Sequence, residues 1–484
     1  MKYRILLLIT FLVPCFLFAQ SDLYQLTGSL LADSPIEENL QYLCDEIGGR
    51  VTGSAANERA VDWALAEFEK AGVKAWKDPF PMPVRWLAKS CRLHLKGKDN
   101  FQPQVVAKYQ SPPGTYQGQL IFVGKGQEED FQKKAAGIKG NILLVETDLC
   151  LDISGLFAEY AAAAATEVLA KKHGAKAIVF MSSRPKKLLY RFITSKATEN
   201  DMPQLVMARE DAKRCIRMLE GGEKLSARIE LEAQTGGAFT AHNVIAEIPG
   251  SEKPDEVVII GAHIDSWALG TGANDNGCNV AMMIDIARQM KKLNIRPKRT
   301  IRFALWNGEE QGYFGSWDYT KEHEAELDNH IMMLSVDIGS GAITGFFTNG
   351  MGELVDAVDE VLKPVEALGD FTQVNIPLVG TDNFDFMLQG VANLIANQKP
   401  ARYGPNYHAA SDTYDKVDLK TLKVNSAIVA ALTLGFANLA DDKISWKRQS
   451  RSEIQKLFDT HKLEYTMRMF NVWEPWIKGE RGRK

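Results

Sequence analysis

A short apolar run followed by a glycine-rich turn, at residues 257–277, most constrains the fold of this chain. Residues 257–260 read VVII, a β-branched run that is typical of a strand buried in a parallel sheet. The turn carries His263, Asp265 and Asp275 and is followed by apolar residues at helical spacing. In open α/β sheets, ligands bind at the carboxyl ends of the strands, where these side chains are expected. The stretch therefore predicts either a zinc-type site or a polar loop with a hydrogen-bonded histidine.

Three more apolar strands follow this stretch and alternate with helices. The strands are predicted at residues 300–306, 331–336 and 392–396, and the last helix of this series at residues 419–439. Strands that alternate with helices favour a sheet covered by helices on both faces. The predicted fold class is therefore α/β, with a mostly parallel, mixed central sheet.

Each of these three strands runs into side chains that bind metal ions or move protons. In chain order they are Glu309, Glu310, Asp337 and His408. Two divalent cations about 3.5 Å apart need a carboxylate that bridges them, and each cation needs nitrogen and oxygen ligands of its own. One further carboxylate must accept a proton from water, and two adjacent glutamates can divide these tasks. A lone Glu pair is usually solvated surface, whereas this ordered set predicts a two-metal hydrolytic site.

Six segments are similar to the motifs of one enzyme family. They read IGGRVTGS (47–54), HIDSWALGTGANDNG (263–277), RPKRTIRFALWNGEEQG (296–312), VDIGSG (336–341), GTDNFDFMLQGV (380–391) and YHAASDTYDKVD (407–418). Through them the chain resembles the co-catalytic di-zinc exopeptidases of the aminopeptidase type, over most of residues 36–440. Within that family it is most similar to the carboxypeptidase Q, or plasma glutamate carboxypeptidase, group. The resemblance implies the zinc-exopeptidase fold.

The resemblance also implies a cofactor, two Zn²⁺, and a role for each residue of the strand-end set. His263 and Asp337 are expected to hold one zinc ion. Glu310 and His408 are expected to hold the other, with Asp275 bridging the two. All five ligand positions are occupied by the residue types that the family uses.

Two further catalytic residues follow from the same resemblance. Glu309 is expected to act as the general base, and Asp265 is expected to support His263 and fix its tautomer. The peptide bond between Asp275 and Asn276 is expected to be cis. The sequence departs from the family pattern at Asn276, where a second acid is common. This departure leaves the ligand set intact and the substrate preference open.

The resemblance implies a secreted exopeptidase that hydrolyses short peptides in the manner of a dipeptidase or of carboxypeptidase Q. An aminopeptidase with the same two-zinc site is the alternative, and a receptor-like binding protein without metals is a third class. Glutaminyl cyclisation on a similar fold is disfavoured by an inserted segment. The choice between the dipeptidase or carboxypeptidase type and the aminopeptidase depends on the residues that bind the free amine or the free carboxylate of the peptide. The candidates for this contact are Arg50, Thr381, Asp382, Arg402 and Tyr403.

The segment from residue 101 to residue 240 differs from its surroundings because it holds none of the predicted metal ligands. An alanine-rich helix is predicted at residues 156–172. Strands are predicted at residues 119–123, 141–145, 177–180 and 204–207. We expect a separate domain, which resembles a protease-associated domain, inserted into a discontinuous catalytic domain of residues 20–100 and 241–440. Such an insert is expected to overhang the site and to limit entry to short peptides.

The amino-terminal residues have the composition of a signal peptide. Residues 1–19 begin with Lys2 and Arg4, continue as an apolar run and finish in Leu-Phe-Ala. We therefore expect export to the periplasm or to the extracellular space. No later segment is predicted to span a membrane.

The carboxyl-terminal residues, 441–484, are predicted to form a basic amphipathic extension. Ile454 and Tyr465 are predicted to share one apolar helical face, which begins at a capping box of residues 452–455. Packing of this helix on its own domain is favoured over a membrane or nucleic-acid role. The net charge of −4 and the lack of a basic groove predict no nucleic-acid partner. The family resemblance implies a homodimer.

Overall fold

Two β-sheets, one of seven strands and one of eight, organise the described part of the chain. A computed structural model describes residues 22–32, 34–150, 152, 154–192 and 200–484. The predicted signal peptide lies outside the described residues. Strands and helices are numbered below in chain order.

The seven-stranded sheet is the mixed sheet that the sequence predicts. In spatial order its strands are β1 (Lys74–Met82), β10 (Phe239–Ile248), β12 (Arg299–Trp306), β11 (Lys253–His263), β13 (His330–Ser335), β15 (Asn393–Gln398) and β14 (Ile343–Phe347). The four neighbours β12, β11, β13 and β15 are parallel, and the other three strands pair in the antiparallel sense. The carboxyl ends of the parallel strands therefore lie at one edge of the sheet.

Helices pack on this sheet, against the second sheet and at the end of the chain. They are α1 (residues 22–32), α2 (Ile36–Gln41), α3 (Ala55–Lys70), α4 (Glu128–Ile138), α5 (Ser154–Lys172), α6 (Arg209–Glu220), α7 (Cys278–Lys292), α8 (Phe314–Glu322), α9 (Glu353–Leu362), α10 (Asn383–Leu388), α11 (Tyr403–Asn406), α12 (Leu419–Asn438), α13 (Arg451–His461), α14 (Glu464–Met469) and α15 (Trp473–Lys478). Of the described helices, α12 alone is long and apolar enough to cross a bilayer. Two thirds of that apolar stretch is buried inside the fold, where α12 packs against α7 and α9.

The core lies on both faces of the seven-stranded sheet, as β12 illustrates. Ile301 and Phe303 belong to the large apolar cluster on the side of α3, α7 and α12. Ala304 and Trp306 point to the other face, where α8 and α10 cover them. Every residue of β12 is buried, which explains the continuous apolar run that marks this strand in the sequence.

The second sheet uses residues 85–236. In spatial order its strands are β3 (Asn100–Phe101), β2 (Arg85–Lys96), β9 (Ser226–Gly236), β5 (Gly114–Phe122), β6 (Ile142–Val145), β7 (Ala177–Met181), β8 (Gln204–Met207) and β4 (Val105–Ala107). The sheet starts 16 residues before the predicted boundary at residue 101, because β2 is a half-exposed strand rich in polar and basic residues and gives a weak sequence signal. We place the proposed inserted domain at residues 85–236.

The basic extension packs on the catalytic part of the chain. Helix α13 begins two residues earlier than predicted, with Ser450 and Glu453 forming the capping box. The helix ends before Lys462, which has a left-handed φ of 54°. Ile454 is buried against α10, in agreement with packing on its own domain. Tyr465, predicted on the same face, is instead 66% exposed, because the break at Lys462 changes the direction of the chain.

Candidate active site

The carboxyl ends of the four parallel strands bring the predicted site residues together. His263 is the last residue of β11, and Asp337 lies two residues after β13. Glu309 and Glu310 follow the end of β12, and His408 lies after β15 and the short helix α11. Because these strands run in the same direction, residues far apart in the chain meet at one edge of the sheet.

Two groups of side chains share the carboxylate of Asp275. In the first group, Nε2 of His263 lies 3.2 Å from Asp275 Oδ1 and 3.3 Å from Asp337 Oδ1. In the second group, Nε2 of His408 lies 3.3 Å from Asp275 Oδ2 and 3.0 Å from Glu310 Oε2. Within each group, one candidate ligand atom per residue lies within 4.8 Å of the others. Each oxygen of Asp275 thus faces one group, as a carboxylate that bridges two cations must.

The backbone that leads into Asp275 is held by Asp412, an acid for which the sequence predicts no role. Asp412 accepts hydrogen bonds from the backbone N–H groups of Asn274, at 2.8 Å, and of Asp275, at 3.1 Å. The peptide bond between Asp275 and Asn276 is cis, as expected. Asn276 is buried and donates to the carbonyl of Val336 at 2.9 Å, so this departure from the family pattern serves the fold. Asp412 lies in a motif segment, but its residue type and spacing did not distinguish it from surface acids.

Asp265 supports the loop that carries the two glutamates. Its carboxylate accepts hydrogen bonds at 3.3 Å from the backbone N–H groups of Glu309 and Glu310, and at 3.1 Å from the Thr52 hydroxyl. Nδ1 of His263 lies 3.1 Å from the backbone carbonyl of Asp265 and 3.7 Å from its carboxylate. Asp265 thus contacts His263 through its backbone carbonyl, and its carboxylate, which faces two N–H donors, also orients the glutamate loop. Its expected support of His263 stays a prediction.

Two of the predicted substrate contacts lie away from the site. Arg50 is fully buried and donates to three backbone carbonyls of the turn after β11, at 2.6 to 2.9 Å. It therefore stabilises that turn, which also accounts for the IGGRVTGS segment. Arg402 is exposed and donates to the carbonyl of Asp415 at 3.3 Å. Neither guanidinium lines the cavity described next.

A cavity of about 760 Å³ opens onto the two groups. Glu309, Glu310, Asp337 and His408 form its polar floor. Thr381 and Tyr403, two of the predicted substrate contacts, line it, whereas Asp382 is buried next to Thr381 and does not. The remaining walls include apolar residues of three origins: Phe157, Tyr160 and Phe192 from the proposed insert, Ile376, Leu378 and Val379 from the catalytic part, and Phe470 from the basic extension.

The proposed insert reaches the loop that carries His408. Arg191 donates its backbone N–H to the carbonyl of His408 at 3.0 Å. The hydroxyl of Tyr160, on α5, lies 3.5 Å from His408 Nδ1. The ring of Tyr407 stacks on the imidazole, with 3.7 Å between the ring centroids. The sequence carries no signal for these contacts, because Tyr160 and His408 are 248 residues apart in the chain.

Burial and mutual repulsion shift the pKa values of the acidic side chains in the site. Burial raises the pKa of Glu309 well above its usual value and the pKa of Glu310 to about 7. Burial also opposes ionisation of Asp275, yet hydrogen bonds from the two histidines outweigh it and lower the pKa of this carboxyl. For His263, burial is outweighed by the negative charge of Asp337 and Glu309, so its pKa is raised. Bound cations would stabilise such a concentration of buried negative charge.

The donor set fits zinc. Glu310 Oε1 is buried and has no hydrogen-bond partner among the described residues, and Asp275 Oδ2 and Asp337 Oδ1 have only a histidine nitrogen near them, at 3.3 Å. Buried polar atoms are normally satisfied, and an unsatisfied carboxylate oxygen is costly. A bound cation satisfies such atoms, and the combination of imidazole nitrogen with carboxylate oxygen is a common zinc environment.

Comparisons with known proteins agree with this geometry. Residues 243–433 match Peptidase family M28. The chain is 26% identical over 420 residues to carboxypeptidase Q of Rattus norvegicus, which covers 84% of this chain and 85% of that protein. It is similar to the crystal structure of a peptidase M28 precursor from Shewanella amazonensis, with 27% identity and a TM-score of 0.79 over 90% of this chain and 98% of the other. A zinc aminopeptidase from Bacillus subtilis shares the fold, with 21% identity and a TM-score of 0.65 over 82% of this chain and 93% of the other.

The family match runs from within β10 to within α12 and contains every residue of the two groups around Asp275. The structural similarity extends over both sheets, because it covers 90% of the chain. The resemblance seen in the six sequence motifs is therefore confirmed. The chain is a metallo-exopeptidase, and it resembles the co-catalytic zinc exopeptidases of peptidase family M28.

Proposed function

We propose that this enzyme is an exported zinc exopeptidase that cleaves short peptides at their free amino end. His263 and Asp337 would hold one Zn²⁺, Glu310 and His408 would hold the other, and Asp275 would lie between them. The observation that carries the two-ion proposal is the division of the Asp275 oxygens, each of which faces a different histidine within 3.3 Å.

The proposed reaction needs Lewis-acid activation, which the metals would supply, and proton transfer, which we assign to the Glu309 carboxylate. Bound zinc ions supply Lewis-acid activation of the scissile carbonyl and of a water molecule. Glu309 is not part of either ligand group and lies on the cavity floor, so its carboxylate is free to accept the proton of the attacking water. The same carboxyl then donates this proton to the departing amine.

The charge of the cavity supports action at the amino end. Among the described residues that line the cavity, several are acidic and none is Lys or Arg. A free α-carboxylate in this cavity would have no guanidinium or ammonium partner among these lining residues. Arg50 and Arg402, the two basic residues that the sequence analysis offered as substrate contacts, lie outside the cavity and cannot bind the substrate carboxylate there. This charge distribution favours aminopeptidase or dipeptidase action over recognition of a carboxyl terminus.

A blocked-substrate panel tests the proposal. Zinc-loaded enzyme is assayed with one dipeptide in four forms: free, N-acetylated, C-amidated and blocked at both ends. We expect N-acetylation to abolish hydrolysis and C-amidation to change kcat/KM by less than about 10-fold. The opposite pattern, in which the amide is inert and the N-acetyl peptide is cleaved, would show recognition of the carboxylate. Elemental analysis of the same preparation is expected to give two zinc ions per chain, and one ion would contradict the bridged site.

Export and assembly are further parts of the proposal. Residues 1–19 support export through their signal-peptide composition, and amino-terminal sequencing of exported protein is expected to start after Ala19. The family resemblance supports a homodimer. The apolar face of α13 is covered within the chain, so that face gives no additional support for a dimer. Light scattering coupled to gel filtration measures the assembly.

A further inference from the structure

The basic extension, residues 441–484, forms part of the cavity wall. Phe470 directly follows α14 and is the residue of this extension that lines the cavity. Helix α14 also contacts α5 of the proposed insert. A segment without any metal-ligating residue therefore adjoins the space in which the substrate must lie.

Phe470 joins two other parts of the cavity through aromatic contacts. Its ring lies edge-on to Phe157 of α5, with 6.4 Å between the ring centroids. It also packs against Tyr313, with 6.1 Å between the centroids. Tyr313 belongs to the loop that carries Glu309, and it donates its backbone N–H to the carbonyl of that residue at 3.1 Å. The three rings thus form a continuous wall from the proposed insert to the catalytic loop.

A buried ion pair fixes the end of the extension beside this wall. Arg481 is 5% exposed, and both of its bonds to Asp385, a residue of α10, are 2.7 Å long. The guanidinium also lies 4.5 Å from the centre of the Trp317 ring and 3.5 Å from the carbonyl of Gly312. Two parallel bonds between guanidinium and carboxylate specify orientation as well as position. The extension is therefore held in a defined place relative to the catalytic loop.

The wall continues into aliphatic residues. Ile376, Leu378 and Val379 line the cavity along with Phe157 and Phe470. An apolar substrate side chain placed here loses its contact with water and gains contact with carbon atoms on several sides. A charged side chain would give up its hydration for few polar partners. The composition of this wall thus distinguishes substrates by the size and polarity of one side chain.

We propose that Phe157 and Phe470 determine specificity, by forming a subsite for a large apolar side chain next to the scissile bond. The inference rests on the proposed peptidase function and names its substrate class: short peptides with a leucine-like or phenylalanine-like residue at one of the two positions that flank the bond. The basic extension contributes Phe470, one of the two aromatic residues of this subsite, and so influences which substrates bind.

Kinetics on two peptide series test the subsite. The series are X-Ala and Ala-X, with X as Gly, Leu, Phe or Lys, so that either flanking position can respond. Wild-type enzyme is expected to prefer Leu and Phe in one series by about 10-fold or more in kcat/KM. Phe157→Ala and Phe470→Ala are each expected to remove most of this preference while kcat/KM for the Gly peptide changes less than about 3-fold.

Control variants separate the subsite from folding. Tyr465→Ala changes an aromatic residue of the same extension that is 66% exposed, and it is expected to leave all kinetic values unchanged. Phe157 is 40% exposed, so its replacement is expected to leave the melting temperature unchanged even if Phe470→Ala lowers it. Phe470→Leu is expected to retain the preference for Leu and to lose part of the preference for Phe.

Several results would overturn the proposal. These are a wild-type preference for Gly or Lys, an equal loss on every substrate in both alanine variants, or no change in either variant. If zinc-loaded wild-type enzyme cleaves no peptide at all, the proposed function fails separately. Calorimetric binding of phenylalanine hydroxamate and glycine hydroxamate then decides the subsite without turnover. Tighter binding of the phenylalanine compound that disappears in Phe157→Ala supports it, and equal binding of both compounds contradicts it.

Discussion

Glu309 and Glu310 are adjacent in the chain but differ in their contacts. Glu310 Oε2 lies 3.0 Å from His408 and belongs to a candidate ligand group, whereas Glu309 belongs to neither group. The two backbone N–H groups are both held by Asp265, which fixes the loop while the side chains diverge. This geometry permits one residue to bind metal and its neighbour to move a proton.

Glu309→Gln is expected to keep zinc and to lose activity. An amide of the same size cannot accept a proton from water, so kcat is expected to fall about 10²-fold or more. Zinc content and melting temperature are expected to stay at wild-type values, because Glu309 is outside the ligand groups. Glu322→Gln, with a side chain that is 62% exposed, is the matched control. Near-normal turnover by the Glu309 variant would assign the general base to another residue.

Lys108 is a buried lysine in the core of the proposed insert. It is 2% exposed, and its Nζ lies 4.0 Å from the centre of the Phe192 ring and 4.9 Å from that of Phe180. Burial lowers its pKa from 10.5 to about 7, and the negative charges of Glu167 and Glu159 oppose this shift only in part. Between these two pKa values the unfolded chain binds a proton that the folded chain does not.

The free energy of unfolding is therefore expected to rise with pH from about 7 to about 10.5. Below pH 7 both states carry the charge, and the full cost of burying an ammonium group is present. Lys108→Met is expected to be a few kcal/mol more stable than wild type at pH 6, since one pKa unit corresponds to about 1.4 kcal/mol. The difference should shrink toward zero near pH 10. Urea unfolding across this range measures it, with Lys172→Met, 64% exposed, as the control. A pH-independent difference would contradict the assigned pKa.

At the scale of elements, helix α5 of the proposed insert takes part in building the site. Its Tyr160 hydroxyl lies 3.5 Å from Nδ1 of His408, the ring nitrogen opposite the one that faces Asp275 and Glu310. Histidine ligands are commonly oriented through their second nitrogen. The sequence predicts a role for the insert in access or assembly, and these contacts extend its role to the orientation of a proposed ligand.

Tyr160→Phe is expected to weaken zinc binding at the site that contains His408 by about 10-fold, because partners of the second nitrogen commonly contribute this much to metal affinity. The other zinc site is expected to keep its affinity. Competition with a chelator, followed by zinc content, measures both. Tyr116→Phe, which removes a hydroxyl bonded to the carbonyl of Pro112 elsewhere in the same region, is the control. Equal weakening of both sites would indicate a general loss of structure.

At the scale of the whole molecule, the basic extension closes the fold over α10. Phe458, Trp473 and Trp476 form one apolar cluster with Phe384 and Leu388 of that helix. This contact covers the apolar face of α13 within the chain. The extension is thus a structural part of the catalytic unit as well as a wall of its cavity.

Truncation after Asp442 is expected to lower the melting temperature and to cause aggregation, because it uncovers this cluster and leaves Asp385 buried without its arginine. Arg481→Met alone is expected to cost about 3 to 5 kcal/mol of stability, and Arg481→Met with Asp385→Leu to recover most of it. Melting curves and light scattering measure both effects. A truncated chain that melts at the wild-type temperature and stays monodisperse would contradict this account.

The sequence by itself determined the four parallel strands of the central sheet, the order of the site residues and the fold class. Buried parallel strands such as β12 are continuously apolar, and each proposed ligand follows such a strand, so local pattern and chain order were sufficient. Half-exposed strands such as β2 and β9 were not predicted, because they lack a sustained apolar pattern. Only some of the predicted substrate contacts lie at the cavity: Thr381 and Tyr403 line it, whereas Arg50 stabilises a turn.

Only the tertiary structure decided which surfaces enclose the substrate. Phe157, Tyr160 and Phe470 come from segments without motifs and reach the site through packing between residues separated by more than 240 positions, as with Tyr160 and His408. The carboxylate of Asp265 likewise turns to two backbone N–H groups whose direction depends on the loop after β12. Metal chemistry restricts residue types at each ligand position, and so it is visible in the sequence. A cavity wall requires only apolar volume, which any segment that packs there can supply.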